Sequence, residues 1–233
     1  MNRLVLKSIE SFAGKGGEME AETILKHRAS LKSHTSRGNV LTKVCAVAIL
    51  VLASALGGYA QKLTGNLSSL KGQKEVNVVI DMKGVTVNRN PEDKYIAEQT
   101  KNKPEADVAK WMTEWNTDLR RNAYEKVVQG INDEVGKKSL FTAGDYPQAE
   151  YTIHFKIINI ETGYFAGVTS RPATLNAEVT FVKKGESAPF ASVAVPRAMH
   201  RLGGSVPYFV TRIAMSFGAL GQVTGQVITK NVK

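Results

Sequence analysis

The side chains best suited to chemistry form a small basic cluster in the last third of the chain. Arg197, His200 and Arg201 fall within a five-residue window. Guanidinium and imidazolium groups donate charge-assisted hydrogen bonds to oxyanions, so this cluster could bind a phosphate or an anionic lipid headgroup. Short charge clusters more often form a solvated loop. These three residues are therefore the candidate binding site, with a solvated loop as the alternative.

A second group of side chains could support acid–base catalysis. His154 could act with Glu178 or Asp145 in an arrangement that the linear order hides, and Asp145 with Glu150 could form a carboxylate pair. The alternative for His154 is a solvated side chain, because it falls on the polar side of an alternating strand pattern. No nucleophile with an evident base accompanies these groups, so we assign no catalytic residue.

Familiar cofactor and metal motifs are absent from the sequence. It contains no phosphate-binding loop, dinucleotide fingerprint, His-Glu-x-x-His motif or paired cysteines. We therefore predict neither a cofactor nor a metal ion. Trp111 and Trp115 could stack on a sugar, but their place on the apolar face of a helix favours core packing.

An export signal is the clearest feature of the N-terminal part. An uncharged apolar run begins at residue 44 and continues for 17 residues, with Lys43 before it and Gly58-Tyr59-Ala60 at its end. Small residues at these positions indicate signal-peptidase cleavage between Ala60 and Gln61. Because 17 residues is close to the shortest membrane span, a retained signal anchor is the alternative. Cys45 lies inside the run, away from the cleavage point, which predicts that the protein is not a lipoprotein.

The remaining boundaries follow from this signal. Residues 1–40 are polar and without a sustained apolar period, so we interpret them as disordered, or as lying before a true start near Val40 or Leu41. Residues 41–60 are then the signal peptide, the glycine-containing and polar residues 61–74 a tether, and residues 75–233 a single domain.

The charge balance argues against a nucleic-acid partner. The whole chain has 31 Lys and Arg against 21 Asp and Glu, a net charge of +10, but from residue 61 onward the counts are 23 and 17, or +6. A spread excess of this size favours solubility and weak attraction to an anionic membrane surface. The partner we predict is another envelope protein.

Hydrophobic periodicity predicts the elements of the domain. Four stretches near residues 76–82, 151–157, 175–181 and 191–195 alternate with the period of a strand, whereas residues 88–103 are predicted to be a surface loop. Apolar spacing of three and four predicts one helix over 104–136, broken near Gly130 or overhanging the sheet, and a last helix from Phe209. Gly218, Gly221 and Gly225 in this last helix predict close approach to the sheet. The fold class is α+β, a four-stranded mostly antiparallel sheet with two helices on one face, in the order β-α-β-β-β-α.

This order carries a family resemblance. The segment Ala149-Glu150-Tyr151-Thr152-Ile153, followed by Leu175-Asn176-Ala177-Glu178-Val179-Thr180-Phe181, a hairpin and a terminal helix, resembles the periplasmic α/β domain of curli-secretion lipoproteins and the N-terminal domain of TolB. The resemblance covers most of residues 75–230. It implies assembly or adaptor work at the cell envelope without catalysis, although the lipid-attachment cysteine and a pore-forming segment of the curli proteins are missing.

Two functions are consistent with these features. The first is a secreted or periplasmic, non-catalytic bacterial envelope protein, in the periplasm or associated with the outer membrane, which docks a partner through a sheet edge or the loop from Gly163 to Pro172. The second is a small secreted hydrolase or ligand-binding enzyme with a site near His154. A concave pocket holding His154 and a carboxylate within hydrogen-bond reach would favour the enzyme.

Overall fold

A mixed β-sheet covered on one face by helices forms the centre of the described domain. The computed structural model describes residues 62–232, so the leader, the signal peptide and the predicted cleavage between Ala60 and Gln61 lie outside the described residues. Eight strands form the main sheet, and β7 and β8 form a separate hairpin. In chain order the strands are β1 (Leu63–Gly65), β2 (Glu75–Asp81), β3 (Thr86–Val87), β4 (Asn90–Pro91), β5 (Thr142–Gly144), β6 (Tyr151–Glu161), β7 (Tyr164–Phe165), β8 (Ser170–Arg171), β9 (Thr174–Lys183) and β10 (Ala191–Ala198).

Three helices accompany the sheet. Helix α1 is Glu92–Thr100 and helix α3 is Phe209–Asn231; between them, α2 runs without interruption through Glu105–Thr113, a π-helical turn Glu114–Asp118 and Leu119–Val135. Short 3₁₀ segments occur at Ser68–Leu70, Gly136–Lys138 and Arg201–Ser205. No helix within residues 62–232 combines the length and the hydrophobicity needed to cross a bilayer.

The one-sided burial of the sheet follows from strand alternation. In β6, Ile153, Phe155 and Ile157 are completely buried, whereas His154 and Lys156 between them face the other side. Strands β9 and β10 alternate in the same way. Helices α2 and α3 pack on the apolar side. The opposite side of the sheet, which we call the open face, therefore carries the more polar half of each strand.

The sheet is larger than the sequence predicts. All four predicted strands are present, but the sheet has eight strands rather than four, in the order β1-β10-β9-β6-β2-β5 with β3 and β4 added beside β6. Strand β2 pairs in parallel with both β5 and β6. Helix α2 lies between β2 and these strands in the chain, so it brings the backbone back to the end where β2 began.

The predicted tether at residues 61–74 is instead attached to the sheet and the core, in the part described from residue 62 onward. Leu63 pairs with Val193, so β1 forms one edge of the sheet. Leu67 and Leu70 are completely buried. The many polar residues of this segment obscure the two leucines in the sequence. Leu67 and Leu70 are three residues apart, as one 3₁₀ turn requires, and their burial attaches the segment to the core.

The predicted loop at residues 88–103 is likewise replaced by ordered structure. It contains the β4 strand and helix α1, whose only buried side chain is Tyr95. Its ring lies 5.2 Å from that of Trp115, and Trp115 stacks on Trp111 at 5.5 Å. Phe209 completes the group, with its ring 5.9 Å from Trp111. The tryptophans therefore pack in the core, as their helical spacing indicates, rather than offering a surface for a sugar.

Glycines bring α2 and α3 into backbone contact. A Cβ at Gly130 would lie 2.7 Å from the backbone nitrogen of Gln222, and one at Gly221 would lie 2.9 Å from the carbonyl carbon of Val127. The expectation that the α3 glycines approach the sheet is therefore wrong, because they approach α2. Gly130 serves the same contact and does not break the helix.

A buried carboxylate joins the two helices beside these glycines. Oε1 of Glu134 accepts hydrogen bonds from Gln222 and Gln226 of α3, and Oε2 accepts one from Lys137 at 2.7 Å. Burial raises the pKa of Glu134, but the hydrogen bonds from Lys137, Gln222 and Gln226 outweigh it and hold the pKa below its ordinary value of 4.5. Glu134 is thus charged in the folded protein.

We expect this carboxylate to make the stability sensitive to acid. Because its pKa is lower in the folded than in the unfolded state, its contribution is complete above pH 4.5 and is lost as the pH falls through the folded-state value. Urea unfolding from pH 7 to pH 3 should show a shallower loss of unfolding free energy in Glu134→Gln than in the parent, by up to about 1.4 kcal/mol per pH unit. Glu98→Gln, at an exposed position of α1, is the control and should follow the parent.

Candidate functional site

The structure separates the three residues of the predicted basic cluster. Arg197 is exposed near the end of β10, where it lines a cleft with Arg89 and Arg171. His200 lines a different groove, beside Lys126 of α2, and its Nδ1 accepts the backbone N–H of Leu202 at 3.3 Å. Arg201 begins the next 3₁₀ segment and is exposed. Arg197 and His200, although close in sequence, thus line two different concavities.

His154 lies on the open face, on β6 between β2 and β9. Its neighbours across the strands are Val79 and Thr180. Within residues 62–232 no hydrogen bond joins it to a carboxylate, and Asp81 on the same face is held by Lys156 at 2.7 Å. The geometry that would favour an enzyme at His154 is therefore not present in the described part of the chain.

Within residues 62–232, the other carboxylates proposed for catalysis also make no hydrogen bond to His154. Glu178 lies opposite Lys156 on the neighbouring strand. Glu150 precedes β6 and lies 3.4 Å from the ammonium group of Lys183. Asp145 follows β5 and is exposed. These groups are distributed along the open face and its margin. Glu150 contacts Lys183, whereas Asp145 is exposed after β5.

The predicted docking loop forms a projecting hairpin. Tyr164 and Phe165 of β7 pair with Arg171 and Ser170 of β8, and Val168 lies at the tip. The exposed fractions of Tyr164, Phe165 and Val168 are 47, 39 and 102%. Residues Ala166 to Thr169 turn the chain between the two strands, and Gly167 among them has a positive φ of 72°. The hairpin therefore presents three large apolar side chains to solvent.

A buried arginine fixes the base of this hairpin. Arg212 of α3 is 6% exposed; its Nε donates to the carbonyl oxygen of Thr162 at 3.0 Å, and Nη1 donates to those of Val206 and Pro207. Burial lowers the pKa of Arg212. At Gly163 a side chain would collide with Pro172 on the opposite side of the base, so the two ends of the hairpin touch. The hairpin is thus closed at its base and held to α3.

A cleft at one end of the open face carries three arginines. Its volume is about 540 Å³, and it is lined by Arg89, Arg171 and Arg197 together with Glu161 and short polar side chains. Asn159 donates to Glu161 at 3.2 Å and accepts a hydrogen bond from the Thr86 hydroxyl at 2.7 Å. We call this the arginine cleft. Its arginines come from residues 89, 171 and 197, so their assembly depends on the strand order.

Sequence reasoning identified one of these arginines and missed two. Arg89 belongs to the predicted surface loop 88–103, and nothing in the local pattern indicates that its side chain would reach Glu161. Arg171 fell in a segment interpreted as a loop. The signal that could have found them is the pairing of β3 with the last residues of β6, which depends on parallel register rather than on local sequence.

Comparisons with known proteins find only distant similarity. No protein-family model matches the chain, and no curated protein matches it significantly. Among solved structures, it is similar to the PelC dodecamer from Paraburkholderia phytofirmans, with 13% identity, a TM-score of 0.32 and coverage of 70% of this chain and 96% of that one. It is also similar to a DUF330 protein from Xanthomonas campestris, with 9% identity, a TM-score of 0.30 and coverage of 69% and 83%. The resemblance to curli-secretion lipoproteins and TolB stays a prediction, and these similarities assign the chain to no family.

Proposed function

We propose that the chain is a non-catalytic binding module of the bacterial cell envelope, which docks another protein through the β7–β8 hairpin. The observation that carries the proposal is the concentration of exposed apolar side chains on this hairpin. The location at the envelope rests on the predicted export signal that ends at Ala60.

The hairpin has the chemistry of a docking surface. Seven large hydrophobic side chains within residues 62–232 are exposed, and three of them, Tyr164, Phe165 and Val168, lie on this hairpin. A fourth, Leu202, belongs to the 3₁₀ segment that packs against β8. Contiguous exposed apolar side chains mark interaction sites on soluble proteins, and tyrosine is enriched among the residues that contribute most to binding.

The rigidity of the β7–β8 hairpin also supports its role as a docking surface. Binding costs free energy for every loop and side chain that must be ordered, so a surface that is already fixed loses less. The bonds from Arg212 and the close contact at Gly163 fix both ends of the hairpin. At the tip, the N–H of Ala166 donates to the carbonyl oxygen of Thr169 at 2.9 Å, which closes the turn.

The sheet edges are less suited to strand addition. At one edge, β1 already covers Ala191 to Val193 of β10, and Pro196 further along has no N–H to donate. At the other edge, β5 has only three residues. Of the two docking modes predicted from the sequence, the structure's features therefore favour the hairpin.

Site-specific photo-crosslinking tests this proposal. A photoreactive residue at Val168 of the full chain, expressed in the source cells, should give a discrete protein adduct in the envelope fraction. The same residue at Glu186, an exposed position in the β9–β10 turn, is the matched control and should give none. Adducts from position 154 on the open face with none from position 168 would contradict docking through the hairpin.

A further inference from the structure

The arginine cleft has more positive charge than its own acidic group neutralises. Arg89, Arg171 and Arg197 contribute three positive charges, and Glu161 is the single acidic residue among the groups that line the cleft. The one ion pair among them is loose, because Nε of Arg89 lies 3.8 Å from Oε1 of Glu161 and the Arg89 side chain is 91% exposed. The cleft therefore has a net charge of +2 and unoccupied guanidinium donors.

The turn that carries Arg89 has an unfavourable backbone. Val87 pairs with Asn90, so Asn88 and Arg89 form a two-residue hairpin loop, and their φ angles are +49° and +68°. Positive φ at both central residues is the pattern of a type I′ turn, which favours glycine at the second position. An arginine there costs stability, and such local strain is often retained where the side chain has a function.

Hydrogen bonds hold this turn at the end of β6. The backbone N–H of Asn88 donates to the carbonyl oxygen of Ile160 at 2.8 Å. The Asn88 side chain donates to the Thr162 hydroxyl at 3.1 Å and accepts the Thr162 N–H at 3.0 Å. Thr162 in turn accepts the hydrogen bond from buried Arg212. The strained turn is thus fastened to the core, and Arg89 projects from it toward the cleft.

We propose that the arginine cleft binds a phosphomonoester group. At neutral pH such a group has nearly two negative charges and three terminal oxygens that accept hydrogen bonds, which match the net charge of +2 and the three guanidinium groups. A carboxylate has one charge and two oxygens and would leave at least one guanidinium without a partner. The phosphate could belong to a small solute or to a lipid headgroup, and the two sources share this chemistry.

Isothermal titration calorimetry of the full chain with inorganic phosphate, at constant ionic strength, tests the cleft directly. We expect saturable binding with one site per chain. Arg197→Gln should raise the Kd for phosphate by at least about tenfold, because it removes a charge-assisted hydrogen bond from the site. Arg201→Gln removes a nearby exposed arginine that does not line the cleft, and it should leave the Kd within about twofold of the parent.

Arg89→Gly separates binding from folding. Glycine suits a turn with positive φ, so this variant should unfold at the same temperature as the parent or higher, while its phosphate Kd rises by at least about tenfold. A loss of binding caused by misfolding would instead lower the unfolding temperature. The opposite signs of the two effects identify a role of the Arg89 side chain in the ligand site.

Vesicle flotation distinguishes the two sources of phosphate. Phosphatidylcholine vesicles with phosphatidic acid present a phosphomonoester, whereas those with phosphatidylglycerol present a diester of lower charge. Binding to phosphatidic acid that is reduced in Arg89→Gly, with or without binding of free phosphate, supports the cleft and identifies a lipid as a source. Free phosphate binding alone supports a solute. The proposal is wrong if Arg201→Gln and Arg197→Gln weaken binding equally, if citrate binds more tightly than phosphate, or if neither probe binds.

Discussion

Gly221→Ala is expected to lower the free energy of unfolding by about 3 kcal/mol, a large share of the stability of an ordinary domain. The new methyl group would lie 2.9 Å from the carbonyl carbon of Val127 and closer still to its oxygen. Both atoms belong to the backbone of α2, so no side-chain rotation can relieve the collision. The two helices must separate, and the buried side chains between them lose contact.

Urea unfolding followed by circular dichroism measures this effect. Gly136→Ala is the matched control, because Gly136 has the helical φ of −62° and no atom within 4 Å of the position of a new Cβ. Alanine has the higher helix propensity, so the control should equal or slightly exceed the stability of the parent. If Gly221→Ala were as stable as Gly136→Ala, the close packing of α2 on α3 would be wrong.

Arg212→Met is the second substitution with a large expected effect. It preserves most of the side-chain volume but removes the donors to three carbonyl groups, those of Thr162, Val206 and Pro207. Buried acceptors without a partner each cost about 1–3 kcal/mol, and part of this cost can be recovered by water at the less buried pair. We expect the unfolding free energy to fall by about 3 kcal/mol.

This substitution should also loosen the hairpin. Chymotrypsin cleaves after aromatic residues, so cleavage after Tyr164 and Phe165 in the folded protein reports how firmly the hairpin base is held. Cleavage there should be faster in Arg212→Met than in the parent, under conditions where both remain folded. Arg201→Met, at an exposed position of the adjoining 3₁₀ segment, should change the stability by less than about 0.5 kcal/mol and leave the cleavage rate unchanged.

The sequence predicts the elements that repeat an apolar period over many residues. Helix α2 begins after Pro104 and ends before Gly136, and the strands around Ile153, Val179 and Val193 lie where alternation indicates. In these segments, the burial of many side chains on one face determines the local structure. The period is therefore visible without knowledge of the partners.

Short elements and long-range pairing could not be predicted in this way. Strand β5 has three residues and no period, and α1 has Tyr95 as its single buried side chain. Each is stabilised by what it contacts, such as the Asn132 side chain that donates to the carbonyl oxygen of Ala143 and accepts its N–H. The candidate site has the same origin, because Arg89 and Arg197 come together only through the register of β3, β6, β9 and β10.

The short strand β1 has a consequence for the solubility of the protein. A bare sheet edge can recruit a strand from another molecule and begin aggregation. At one end of β10, Pro196 and the bulge between Val195 and Ala198 discourage such recruitment. At the other end, Ala191 to Val193 have neither feature, and their pairing with β1 protects them instead. A cut between Ala60 and Gln61 would leave β1 whole, with two residues before it. Processing only a few residues further along would uncover this edge, so accurate cleavage would also protect the protein against self-association.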